Sequence, residues 1–172
     1  MTIARSFART AEARRALWAL VAIIAVVSVY RIGSRELVGL GLHYDEAQYW
    51  VWSLDPAWGY FSKPPLVAWS IGLARALCGD GEACIRAPSI VALGAATLVV
   101  FALGCRMFDV RAGLIAALVF LLAPLTSFLS WIITTDSVLI LFWALATAAF
   151  ARAVDTDRGS WWIVTGVAAG LG

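Results

Sequence analysis

The chain has 172 residues, 62% of them hydrophobic and only 14% charged, with a mean hydropathy of +0.87. Soluble domains run at about 45–50% apolar and about 25% charged, so this composition excludes a water-soluble globule. A formal net charge of +2 is too small to imply nucleic acid. Where the charges lie along the chain matters more than their sum.

Residues 1–15 carry Arg5, Arg9, Arg14 and Arg15 against one acid, Glu12. An apolar run follows over about 16–32. A basic start before an apolar run is common to signal peptides and signal-anchors. The small-x-small cleavage signature is weak here and more apolar segments follow, so the reading is a retained anchor with residues 1–15 in the cytoplasm.

Residues 33–86 differ. They mix Arg35, Glu36, His43, Asp45, Glu46, Asp55 and Lys63 with Tyr44, Tyr49, Trp50, Trp52, Trp58, Tyr60 and Phe61. Charge and aromatics together describe an outer loop at the membrane surface, with amphipathic pieces. Within it, the apolar stretch 65–78 contains Arg75 and is short of the roughly 20 residues that a span needs. Leu66, Trp69, Leu73 and Leu77 recur at helical spacing after Pro64-Pro65, which predicts a helix in the interface with one apolar face.

Spans are then expected at about 87–105, 112–133 with Pro124 inside, 137–151, and an incomplete one at 160–172. The last run opens at Trp161-Trp162 and stops, so the sequence reads as the N-terminal portion of a longer polytopic protein. If 65–78 does not span, Arg106, Arg111, Arg152 and Arg158 all fall in the cytoplasm, as the positive-inside rule prefers. The same arrangement puts Asp45 and Asp136 together on the non-cytoplasmic face. The expected fold is an all-α polytopic transmembrane helix bundle, its outer loop holding amphipathic interfacial helices.

Four constellations could carry chemistry. In His43-Tyr44-Asp45-Glu46, adjacent carboxylates beside aromatics suit a general base with a second acid that tunes or positions it. The alternative is a helix cap, Asp45 with Gln48 three residues on. In Tyr60-Phe61-Ser62-Lys63-Pro64-Pro65, a lysine at a helix start is placed to meet a phosphate or head group, or it snorkels as an ordinary interfacial lysine. Arg86-Ala87-Pro88-Ser89 offers a guanidinium fork for a phosphate, or an interface anchor. Thr134-Thr135-Asp136-Ser137 places an acid at the outer end of a two-span hairpin, as a functional group or as an N-cap.

Taken in order, these motifs resemble the GT-C membrane glycosyltransferases of family 39 type. That group holds protein O-mannosyltransferases and the aminoarabinose transferase that modifies lipid A. The resemblance covers about residues 15–172. It implies inverting transfer of a hexosyl or pentosyl group from a polyprenyl-phosphate donor, without a cofactor, to a lipid, glycan or protein hydroxyl. Asp45 matches the catalytic acid and Glu46 its partner. Lys63 and Arg86 match positions near the donor phosphate, Asp136 matches the acid of the second outer loop, and His43 and Tyr60 flank these groups as further candidates. Aminoarabinose-transferase-like members often carry an acid just before Lys-Pro-Pro, where this chain has Ser62, so neither a metal site nor lipid A specificity is carried over from them. With one histidine and no clustered ligands, no metal is expected. The Ala/Arg-rich usage fits a bacterial inner membrane, with the site facing the periplasm. The competing class is a transporter or assembly subunit for lipid-linked sugars. Transporters place charge near the midplane, whereas these charges sit at span ends.

Cys78 and Cys84 fall in the outer loop, with five residues between them, two of them glycines. An oxidising compartment permits a bridge between them; two free thiols are the alternative. Cys105 lies at a cytoplasmic span end and is expected to stay reduced.

Overall fold

The computed structural model describes residues 2–39 and 41–172, with side chains described from Ala11 onward except Glu36. Arg5 and Arg9 of the basic start therefore lie outside the described side chains, as does Glu36. Among the described residues there are eight helices and no strands, in keeping with the expected all-α bundle. They are α1 (Thr2–Val38), α2 (Tyr44–Trp52), α3 (Leu66–Cys78), α4 (Glu82–Met107), α5 (Val110–Leu122), α6 (Pro124–Leu129), α7 (Thr135–Thr156) and α8 (Gly159–Leu171). Three of them are long and apolar enough to cross a membrane: Ala11–Arg35 within α1, α4 and α7. The chain is an integral membrane protein.

α4 is the hub, packed against α5, α7, α3 and α1. It meets α5 through glycines: a Cβ on Gly104 would lie 2.5 Å from the Gly113 Cα, and one on Gly113 would lie 2.7 Å from the Phe101 carbonyl oxygen. Small residues let two helices approach this closely in lipid, where apolar burial gives little drive of its own. Asp109 caps α5 by accepting from the Ala112 N–H at 2.8 Å. At the same end an ion pair of Arg106 with Asp155 joins α4 to α7.

The stretch 112–133, expected as one run, is divided. α5 stops at Leu122 and α6 starts at Pro124, because Ala123 is extended (φ −57°, ψ 142°). A residue before proline is driven out of the helical region by the ring. Arg31 of α1 reaches this break, donating to the Leu121 carbonyl oxygen at 2.7 Å and to Ser127 Oγ at 3.0 Å.

α3 lies at the other end of α4. It buries Val67, Ala68 and Ile71, while Leu73 and Leu77 stay exposed. The face recognised from Leu66, Trp69, Leu73 and Leu77 thus looks outward. It lines an apolar groove of about 540 Å3 shared with Val91 of α4 and with Leu141 and Phe142 of α7.

Cys78 and Cys84 are bridged, with Cα atoms 5.9 Å apart, and Cys105 is a free thiol. The bridge ties the last residue of α3 to the first turn of α4. Closing so short a loop stabilises by at most roughly 2–3 kcal/mol. In unreduced, alkylated protein, mass mapping is expected to find label on Cys105 and none on the other two. Label on all three would show that this loop never meets an oxidising compartment.

Candidate active site

α2 presents the two acids that the sequence places side by side, and it separates them. His43 is the N-cap residue, with extended backbone, and Tyr44, Asp45 and Glu46 form the first turn. Glu46 turns back to accept the His43 N–H at 2.9 Å. The residue that satisfies the helix start is therefore Glu46 and not Asp45. Asp45 is half-buried and accepts no hydrogen bond among the described residues. The His43 and Tyr44 rings beside it are both exposed, with centroids 4.1 Å apart.

Glu46 and Arg86 are bonded to each other. Arg86 Nε donates to Glu46 Oε1 at 2.7 Å and Nη2 donates to Oε2 at 2.9 Å, the bidentate fork geometry. The Ile133 N–H gives Glu46 Oε1 a further bond at 3.0 Å, and Arg35 of α1 lies 3.5 Å from Oε2. Arg86 also donates to Glu82 at 2.7 Å and to the Gly41 carbonyl oxygen at 2.9 Å. Glu46 is 1% exposed and Arg86 2%. Burial pushes the Glu46 carboxyl up, but the Arg86 fork and the His43 and Ile133 N–H groups outweigh it and hold the group below the usual carboxylate range.

That geometry bears on two expectations. A carboxylate saturated with donors has no lone pair to offer an acceptor hydroxyl, so Glu46 is not placed as a second reacting acid. Arg86, expected at the donor phosphate, is buried and has its guanidinium committed to protein groups. The pair instead ties α2 to α4 and to the turn before α7.

Asp136 lies in the first turn of α7 and is exposed. The N-cap residue there is Thr134, so Asp136 does not fill the capping position. Its charge acts on the same group as that of Asp45. The Tyr49 phenol is raised by burial first, then by the charges of Asp45 and Asp136. The charges of two acids far apart in sequence are thus both felt at one buried ring.

Lys63 is linked to that ring through a row of aromatics. Tyr49 and Trp52 have centroids 5.6 Å apart, and Trp52 stacks on Tyr60 at 4.9 Å. Tyr60 and Lys63 exchange backbone hydrogen bonds at 3.2 Å each. The Tyr60 hydroxyl lies 2.9 Å from the Trp52 carbonyl oxygen and accepts the Ala57 N–H at 3.1 Å. Tyr60 is therefore the buckle of this loop, and Lys63 projects exposed from it at the head of α3.

Several groups escaped the sequence reading. Ser89 Oγ donates to the Ile132 carbonyl oxygen at 2.8 Å and lies 2.7 Å from Ser137 Oγ. Both serines close motifs already singled out, Arg86-Ala87-Pro88-Ser89 and Thr134-Thr135-Asp136-Ser137, and a serine inside an apolar run was the available signal. Arg35 gave a signal too, four residues after Arg31 and hence on the same helix face.

A family model described as dolichyl-phosphate-mannose-protein mannosyltransferase matches residues 62–172. The chain is 27% identical over 150 residues to the lipid A galacturonosyltransferase RgtD of Rhizobium johnstonii, a match covering 87% of this chain and 32% of that protein. It is 32% identical over 118 residues to the undecaprenyl phosphate-alpha-4-amino-4-deoxy-L-arabinose arabinosyl transferase 1 of Sodalis glossinidius, covering 66% of this chain and 21% of that protein. The chain thus spans a third or less of the length of these relatives. No solved structure gave a significant match.

Proposed function

Because this chain belongs to the dolichyl-phosphate-mannose-protein mannosyltransferase family, we propose that it supplies the acid-bearing outer segment of an inverting membrane glycosyltransferase. The donor is a sugar on a polyprenyl phosphate. The acceptor is a hydroxyl of a lipid of the lipid A type, as the name of the Rhizobium johnstonii relative suggests. The site faces the periplasm of a bacterial inner membrane.

One observation carries this reading: Asp45, with an uncommitted carboxylate, stands at the same end of the bundle as Asp136 and Lys63, on a helix clamped from beneath by Glu46 and Arg86. In the reaction, Asp45 takes the proton from the acceptor hydroxyl. The freed oxygen bonds to the anomeric carbon as the bond from that carbon to the phosphate oxygen breaks. The polyprenyl phosphate leaves with the electron pair, and the Lys63 ammonium meets its growing charge. Attack opposite the leaving group inverts the carbon. The apolar groove along α3 begins at Leu66, one turn from Lys63, and suits the donor's polyprenyl tail. His43 and Tyr44 flank Asp45 on the acceptor side.

The test uses the full-length protein in vesicles with a polyprenyl-phosphate sugar labelled in the sugar. Label is expected to move to the acceptor lipid. Lys63→Ala is expected to lower kcat/KM for the donor roughly tenfold to hundredfold, the scale of one lost charge-assisted hydrogen bond. Label that stays on the donor with folded protein and acceptor present would overturn the reading.

A further inference from the structure

The Cys78–Cys84 loop does more than join two helices. Its Asp80 Oδ1 accepts the Trp50 indole N–H at 2.9 Å and also pairs with the Arg75 guanidinium. Arg75 lies over the Trp50 ring, 5.8 Å from its centroid, and its Nη1 reaches Ser53 Oγ at 3.3 Å. The Ser53 hydroxyl in turn donates to the Trp50 carbonyl oxygen at 2.6 Å. Ser53 is the C-cap residue of α2. The loop therefore holds the last turn of α2 directly at the indole through Asp80, and at the cap through Arg75 of α3, with which Asp80 pairs.

α2 has nine residues, too few to hold a helix in water without packing. Its first turn is fixed by Glu46 on Arg86, and its last turn by Trp50 and Arg75 on Asp80. Asp45 sits in the anchored first turn, one residue before Glu46, so its direction follows the seating of the whole short helix. Asp80 itself sits between Gly79 and Gly81, and Gly79 is in the left-handed region at φ 88°. A Gly-Asp-Gly segment has wide backbone freedom unless its ends are tied. The bridge across residues 78 and 84 ties them, and so keeps the carboxylate over Trp50.

We propose that Asp80, held by the Cys78–Cys84 bridge, is a positioning residue that seats α2 and thereby aims Asp45. This rests on the glycosyl-transfer reading above and adds to it a group that never touches substrate. The Asp80 side chain is 57% exposed, and the Arg75 left behind, 18% exposed, keeps Ser53 and the Trp50 ring, so thermal unfolding of an Asp80 variant is expected to stay near wild-type. That separates positioning from folding.

The experiment measures donor and acceptor kinetics of the full-length enzyme. Asp80→Ala is expected to lower kcat roughly tenfold to hundredfold, the scale on which a misplaced reacting group loses rate. KM for the donor stays within about twofold, since Lys63 is untouched. Trp50→Phe, which removes the indole N–H and shrinks the ring under Arg75 but leaves the Arg75–Asp80 pair, gives a smaller loss, and combining it with Asp80→Ala adds little. A Cys78→Ser, Cys84→Ser pair is expected to match Asp80→Ala, and adding Asp80→Ala to that pair changes nothing further. Asp80→Glu is expected to recover part of the rate. Wild-type kcat in Asp80→Ala overturns the proposal, and so does a loss confined to donor KM. Asp45→Asn is measured beside it: an active Asp45→Asn overturns the base assignment instead, whatever Asp80→Ala does.

Discussion

Asp45→Asn in the full-length enzyme is expected to lower kcat by about 10²–10⁴-fold, the range that general-base catalysis supplies. Membrane insertion, thermal unfolding and donor KM are expected to stay near wild-type. The physical ground is the separation of duties within α2. Asp45 accepts no hydrogen bond among the described residues, so the neutral amide breaks nothing in the fold. The helix start is satisfied by Glu46, so the loss of a cap does not confound the measurement. Asparagine keeps the size and some affinity for a helix N-terminus, but it cannot accept a proton from a hydroxyl. Near-normal turnover in this variant would remove Asp45 from the chemistry and leave Asp136 as the exposed acid to test next.

Much of this arrangement could be read from the sequence. The acids at helix starts, the lysine just ahead of a helix and the shortness of the apolar helix 66–78 follow from charge placement and segment length. What could not be read is which neighbour faces which way. Asp45 and Glu46 are adjacent, and adjacency invites a paired chemical role. On a helix of 3.6 residues per turn, neighbours point about 100° apart. One of them therefore faces the interior, and only the positions of Arg86 and Ile133 decide that it is Glu46. The same turn geometry explains α3. Leu66, Trp69, Leu73 and Leu77 make a correct apolar stripe, yet the core takes Val67, Ala68 and Ile71, because in lipid an apolar stripe need not face protein. The division at Ala123 was readable in principle from Pro124, whose ring constrains the residue before it. The reach of Arg31 and Arg35 was hidden by ending the first apolar run near residue 32, whereas α1 continues to Val38 and carries both arginines inward on one face.

The larger effect on stability is expected at the buried clamp. Glu46→Ala would leave the Arg86 guanidinium and the Arg35 side chain without the acid that lies between them, in a region almost closed to water. Removing one partner of a buried, hydrogen-bonded ion pair costs about 3–5 kcal/mol, because the remaining charge has lost its compensation. Arg86 keeps Glu82, whose side chain is 44% exposed and offers a weaker, screened substitute. Arg86→Lys keeps the charge but loses the bidentate fork, so its cost is expected to be smaller, about 1.5–3 kcal/mol. The measurement is denaturant unfolding of the full-length protein in detergent, followed at the outer end of the bundle. pH supplies an independent arm. The Glu46 carboxyl lies below its ordinary value of 4.5 in the folded state. Its stabilisation is therefore fully present above that ordinary value and is lost as pH falls through the lower, folded one. Glu46→Gln carries no titrating group, so it is expected to be less stable than wild-type at neutral pH, with the gap narrowing as the solution is acidified. A Glu46→Ala protein as stable as wild-type, or a gap that does not close in acid, would mean that the clamp holds nothing and that α2 is seated by its apolar contacts with Val67, Ile71 and Ile85 alone.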